Sequence, residues 1–306
     1  FSSGLTHTAS TGFNFSPARD MSEAVFWNPS AIVKSRTPYN ISLLTNVKNN
    51  AKLGGYFRLN DRIFIGAGFI YTQQDEYRNT LFVKISNEAN TVQIDSFLVK
   101  LKEHSAFLAP SFKVNDKLSI GLTVKSIWQN LRIPNLLQIT IDDNGSTANT
   151  FTDSTVKKQK WDLDLSASYK VSNALQVGIN AMNLAGTKLY ADAFAAGGSN
   201  NYNMQNQRAV GLGGCYKWQR FNFGADMIFT EDGFYDAALG VNYVPFNNAL
   251  LSAGLAVKQL SYSIAFRIKH FRIAYINDND LMVNEKRKGK SGILNGGLYG
   301  GFIFDF

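Results

Sequence analysis

A transmembrane antiparallel up-and-down β-barrel of about 14 strands is the fold this 306-residue sequence predicts. Three observations predict it: long runs of two-residue alternation, connections sorted by length, and an aromatic closing strand. The alternation is clearest in WDLDLSASYK, residues 161–170. Trp161, Leu163, Leu165, Ala167 and Tyr169 occupy one parity, and Asp162, Asp164, Ser166, Ser168 and Lys170 the other. Successive side chains of a strand leave on opposite faces, so the segment has one apolar wall and one wet wall.

The same pattern recurs along the chain. Leu118, Ile120, Leu122 and Val124 alternate with Ser119, Gly121, Thr123 and Lys125. Phe221, Phe223, Ala225 and Met227 alternate with Asn222, Gly224 and Asp226, and Tyr262, Ile264, Phe266 and Ile268 with Ser263, Ala265 and Arg267. Strands are expected near 39–47, 51–59, 62–72, 105–114, 117–129, 160–170, 174–183, 208–217, 220–229, 235–243, 249–257, 260–268, 271–277 and 293–305. A helical period is sustained nowhere.

The connections decide where the apolar wall faces. Asn60-Asp61-Arg62, Asn115-Asp116-Lys117, Ser172-Asn173-Ala174, Trp218-Gln219, Val244–Asn248 and Lys269-His270 are tight, turn-prone links that fall at every second connection. The long connections, 73–104, 131–159, 184–207 and 278–292, all fall on the other parity, together with short ones near Asn49, Glu231 and Lys258. Short periplasmic turns opposite longer extracellular loops mark an outer-membrane barrel, with both chain ends in the periplasm. A soluble sandwich gives no reason for such sorting. The chain ends GGLYGGFIFDF, an aromatic closing strand with a C-terminal Phe, similar to the terminal signature of bacterial outer-membrane proteins.

The apolar parity is therefore expected to face lipid, with Trp161 and Tyr169 at two interfacial aromatic girdles. Lys125, Asp162, Asp164, Asp226 and Arg267 are expected on the polar lumen wall, where Asp164→Asn should cost much less than a charge on the lipid face. The bulk properties agree. No uncharged apolar run approaches the roughly 20 residues of a membrane helix, the longest being ALLSAGLAV at 249–257, and barrel strands dilute hydropathy by alternating. Net charge is +8, but the clearest basic cluster, EKRKGK at Glu285–Lys290, sits among Asn, Asp and Gly and reads as a solvated loop, not a nucleic-acid site. The lone Cys215 excludes an internal disulfide and reads as a packed thiol. No charged-then-apolar leader opens the sequence, so a signal peptide either never existed or was removed before residue 1.

Chemistry-bearing motifs are missing. His7, His104 and His270 lack metal-ligand spacing, and no HExxH, CxxC, GxSxG or phosphate-binding glycine loop occurs. Asp162 and Asp164 share a face, as a general acid–base pair would, but a polar lumen wall explains them better. No enzyme activity, metal or cofactor is expected.

Residues 1–38 depart from the strand pattern, and Pro17, Pro29 and Pro38 break any long regular element there. ARDMSEAVFWNPSAI, Ala18–Ile32, resembles the N-terminal region of the FadL/PorV-like superfamily of fourteen-stranded outer-membrane β-barrels. The match rests on Phe26, Trp27, Asn28, Pro29 and Ser30, the common form having Ala where Ser30 stands. That superfamily includes long-chain fatty-acid and hydrocarbon channels and the PorV and PorQ barrels of the Bacteroidota type IX secretion system. The resemblance implies that residues 1–38 form a hatch inside a barrel of residues 39–306. A hatch is physically reasonable, since a barrel of this width otherwise leaves a water-filled hole. Arg19, Asp20 and Glu23 are then expected to pair with lumen charges.

One segment remains: Leu131–Thr140, LRIPNLLQIT, is apolar yet falls on the long-loop side. It extends the fifth strand, covers a pocket, or binds a partner, because exposed apolar surface marks interaction sites; Leu131, Ile133, Leu136 and Leu137 are the candidate residues. With the compact size and brief hatch, it favours a subunit of an outer-membrane protein machine similar to the type IX secretion barrels, with outer-membrane lipid and protein partners of a membrane complex around it. The alternative is a diffusion channel for hydrophobic small molecules such as long-chain fatty acids.

Overall fold

A computed structural model of the chain describes residues 24–35, 37–45, 50–85, 90–141, 147–186, 188–195, 198–205, 208–246, 249–257, 262–277 and 297–305. The strands are β1 Tyr39–Thr45, β2 Asn50–Arg58, β3 Ile63–Ile85, β4 Asn90–Lys113, β5 Leu118–Ile141, β6 Thr147–Lys170, β7 Leu175–Met182, β8 Lys188–Ala195, β9 Gly198–Gln205, β10 Ala209–Trp218, β11 Phe221–Thr230, β12 Gly233–Tyr243, β13 Ala249–Ala256, β14 Tyr262–Ile268, β15 Phe271–Asn277 and β16 Gly297–Asp305. All except β8 and β9 form one closed antiparallel barrel of fourteen strands. Each pairs with its neighbour in sequence, β7 pairs with β10, and β16 returns to β1 through Asn40↔Asp305 to Thr45↔Gly300. β8 and β9 make a separate hairpin in the β7–β10 connection.

The alternation that predicted the strands sets their two faces. On β6, Trp161 and Leu165 are 64% and 53% exposed, while Asp162 and Asp164 are 1% and 5% exposed. β11 repeats this, with Asn222, Asp226 and Ile228 buried and Phe223, Met227 and Phe229 exposed. A closed barrel with its apolar side chains turned outward is solvated by lipid, and its closure leaves no strand edge in the hydrocarbon. Leu165→Arg places a cation near the middle of that belt and is expected to cost about 2–4 kcal/mol. Urea unfolding of the reconstituted barrel measures it, and a cost below about 1 kcal/mol would mean that Leu165 does not face lipid.

The tight turns lie together at one end and repeat one device. Asn60 Oδ1 accepts from the N–H groups of Arg62 and Ile63 at 2.8 and 2.9 Å, and Asn115 Oδ1 from those of Lys117 and Leu118 at 2.8 Å each. Ser172 Oγ does the same for Ala174 and Leu175 at 3.2 and 3.0 Å. A short polar side chain that bonds the backbone two and three residues on holds the reversal without further support.

Several predicted loops are strands. The stretches 73–104 and 131–159 continue β3–β4 and β5–β6 as paired hairpins far beyond the other strands, and 184–207 holds the β8–β9 hairpin. Sequences such as QQDEYRN have no apolar parity, because above the membrane neither face needs grease; backbone pairing alone makes the strand. LRIPNLLQIT accordingly extends β5, with Leu136 opposite Phe151 and a register shift between Leu136 and Gln138. The EKRKGK cluster and residues Arg19, Asp20 and Glu23 lie outside the described residues.

Candidate functional site

The lumen holds the start of the described chain. Ala24–Trp27 form one helical turn, α1, and Pro29–Lys34 a 3₁₀ turn with proline in its first position, where its missing N–H costs nothing. Val25, Asn28, Ser30, Ala31 and Ile32 are almost completely buried. All these residues sit at the tight-turn end, bound to the inner wall of β2 to β7.

Small hydroxyl side chains make that attachment. Ser111 Oγ donates to Pro29 O and Ser119 Oγ to Ser30 O, both at 2.8 Å. Ser30 N donates to Ser166 Oγ at 3.1 Å, Ser30 Oγ lies 2.7 Å from Ser168 Oγ, and Asn28 Nδ2 donates to Ser168 Oγ at 3.2 Å. Asn180 Nδ2 donates to Trp27 O, and Lys34 Nζ to Gln176 Oε1 at 3.5 Å. Burial, helped by the like charge of Lys170, pushes the Lys34 ammonium down to about 8. Each barrel serine thus satisfies a polar group of the segment that water cannot reach.

The apolar side of the segment fits where the wall has no side chain. A Cβ on Gly121 would stand 2.7 Å from both Ser30 N and Ser166 Oγ, and one on Gly54 2.5 Å from Phe26 Cζ. Gly66 likewise faces Val25. Ile32 and Val33 pack on Tyr56 and Phe64, and Phe26 meets Phe107 edge-on at 5.3 Å. Lys52 Nζ stands 5.0 Å from the centre of the Trp27 ring, within cation–π range. A cavity with room for about one water lies between Phe26, Ser42, Leu44, Lys52, Arg272 and Ile303.

A second feature lies further from the tight turns. Lys125 Nζ reaches Asp164 Oδ1 at 2.7 Å and donates to Asn183 Oδ1 at 2.6 Å. Asp164 Oδ1 accepts from Asn183 N at 2.8 Å, and Asp162 Oδ1 from Ala185 N at 3.0 Å. The two carboxylates hold the chain where it leaves β7, with Asn183 and Gly186 at positive φ. Asp164 is buried and Lys125 half-buried, so Asp164→Asn, expected to be mild, also removes the counter-ion of Lys125.

Three of the five expected lumen residues therefore meet. Asp226 is buried on the inner face of β11, and Arg267, half-buried on β14, donates from Nε to Lys269 O at 3.0 Å; neither joins the cluster. On the inner wall of β7 and β10 to β13, Met182, Ala209, Ile228, Ala238 and Ala256 form a buried apolar cluster with Tyr235. Leu131 is buried on the lumen parity of β5, and Ile133 stands opposite Ser154 in register. Among the described residues no group of His, Cys, Asp and Glu is placed to hold a metal ion. Sequence reasoning missed Ser111, Ser119, Ser166, Ser168, Asn180 and the three glycines. Their signal was faint but present: small residues at the lumen parity, each within a few positions of a tight turn.

No family model and no curated protein matches the sequence. Solved structures do. The Pseudomonas putida toluene transporter TodX is similar over 97% of this chain and 95% of its own, with a TM-score of 0.58 and 14% identity. The CymD monoaromatic hydrocarbon channel is similar over 96% and 92%, with a TM-score of 0.55 and 12% identity. A Pseudomonas aeruginosa FadL homologue is similar over 98% and 96%, at the same score and identity. At such identity the likeness is one of fold, and together with the closed barrel and its apolar outer wall it leads to one statement: this chain is a multi-pass barrel of the bacterial outer membrane with the FadL-type, fourteen-stranded fold.

Proposed function

We propose that the chain is a passive diffusion channel for hydrophobic small molecules, with the segment ending at Ser35 as its hatch. The observation that carries this reading is the near full-length likeness to a toluene transporter and a hydrocarbon channel. One local feature supports it: the buried cluster of Met182, Ala209, Ile228, Ala238 and Ala256 puts hydrophobic side chains on the inner wall as well as polar ones. The secretion-machine reading favoured by the sequence draws no support from the comparisons, whose named functions are transport, not catalysis or secretion. In the channel reading, Leu131, Ile133, Leu136 and Leu137 on β5 receive the solute at the outer mouth.

Uptake by cells lacking channels of their own tests this. Expression of the protein is expected to raise uptake of radiolabelled toluene or a long-chain fatty acid but not of a sugar. Leu136→Ser with Leu137→Ser, which removes apolar surface from the outer part of β5, is expected to lower that uptake measurably. No uptake, together with a second chain co-purifying in fixed ratio, would restore the machine-subunit reading.

A further inference from the structure

Beyond the aromatic girdle, the outward face of the β3–β6 wall changes chemistry row by row. Antiparallel register aligns Phe69, Ala106, Ser126 and Trp161, and then Tyr71, His104, Trp128 and Gln159. The next row is Gln73, Lys102, Asn130 and Lys157, and the one after it Asp75, Lys100, Arg132 and Thr155. Apolar gives way to aromatic and aromatic to cationic within six residues of each strand. Lys102, Arg132 and Lys157 are exposed and Lys100 is half-buried.

We propose that Lys100, Lys102, Arg132 and Lys157 form a binding face for the phosphate groups of an anionic glycolipid in the outer leaflet. Position argues for it first. At about 3.3 Å per residue, Lys157 stands about 13 Å along the strand from Trp161, or about 10 Å above it on a strand tilted by about 40°. That is the level of the headgroups when Trp161 marks the interface. The cationic rows are also continuous with the lipid-facing wall, so the acyl chains of the same molecule would lie against Phe69, Leu108 and Leu163. Charge argues second: two adjacent rows supply four cations, against which the register sets Asp75 beside Lys100 and Asp153 one row further out on β6. Guanidinium and ammonium groups make charge-assisted bonds to phosphate, and basic clusters at a bilayer surface bind anionic headgroups.

A structural explanation covers only part of the pattern. β7 ends at Met182, so β6 has no β7 partner beyond Leu165, and Lys157, Lys158 and Lys160 lie along that edge. Edge lysines deter pairing with foreign strands. Lys100, Lys102 and Arg132 lie on β4 and β5, which are paired on both sides, so edge protection does not account for them. This inference is independent of what passes through the lumen.

The test uses the whole barrel in detergent, with bisphosphorylated lipid A as the probe and native mass spectrometry as the readout. Binding is expected to the intact lipid, and to weaken about tenfold or more when both phosphates are removed or in high salt. The variant Lys100→Gln/Lys102→Gln/Arg132→Gln/Lys157→Gln is expected to lose binding to the same extent. Arg62→Gln/Lys117→Gln/Lys217→Gln/Lys269→Gln, which removes equal charge at the tight-turn end, is expected to keep it. Heat-modifiable gel mobility shows that each variant is folded. Unchanged binding by the first variant, equal loss in both, or indifference to the phosphates would overturn the proposal.

Discussion

Gly121→Val is expected to turn a quiet barrel into an open pore. Valine suits β5 as a strand residue, so the wall survives, but its Cβ would stand 2.7 Å from Ser30 N and from Ser166 Oγ. The docked segment must then move away, losing the Ser30–Ser166 and Ser119–Ser30 hydrogen bonds. Overpacking costs about 1–3 kcal/mol and each lost bond about 0.5–1.5 kcal/mol. Because about 1.4 kcal/mol is a factor of ten, the undocked population rises by roughly one to four orders of magnitude. Planar-bilayer conductance reads this directly. Gly214→Val is the control, because its Cβ meets nothing closer than 3.8 Å. If both variants stay closed, residues 24–35 do not seal the lumen.

Lys125→Met is expected to cost about 3–5 kcal/mol, because it leaves the Asp164 carboxylate buried without its cation. The companion variant Lys125→Met/Asp164→Asn removes both charges and keeps an oxygen to accept from Asn183 N, so it should recover more than half of the loss. Urea midpoints of the refolded barrel measure both. A cost below about 1 kcal/mol for the single change would show that water screens the pair.

What the sequence could disclose followed from what the membrane demands of it. Where a strand crosses lipid, one parity must be apolar, so β11, β14 and the membrane-crossing part of β6 were legible to within a few residues. The same demand lapses above the bilayer, and the outer halves of β3 to β6 were placed among the long connections because their alternation is brief and broken, as in QQDEYRN, although an extension of the fifth strand through LRIPNLLQIT was left open. Lys125, Asp162 and Asp164 were placed on the right wall by parity, yet their meeting depends on Asn183 and Ala185, where the chain leaves β7, and no periodicity reports that. The serines that hold Asn28 and Ser30 carry no charge and no motif. They differ from ordinary lumen serines only in facing a segment more than 80 positions earlier in the chain.

The contacts of residues 24–35 also bear on the order of assembly. The barrel seam joins β1 to β16, so the closing pair Asn40↔Asp305 spans almost the whole chain, and contacts of such long range form late. Every hydrogen bond described above between the segment and the wall reaches no further than Asn180, on β7. A half-barrel of β1 to β7 therefore already presents the complete serine cradle, and the segment can dock on an open, curved sheet before later strands enclose it. The final strand then shuts a vessel whose stopper is in place, so no large open pore need ever exist on the way to the native state.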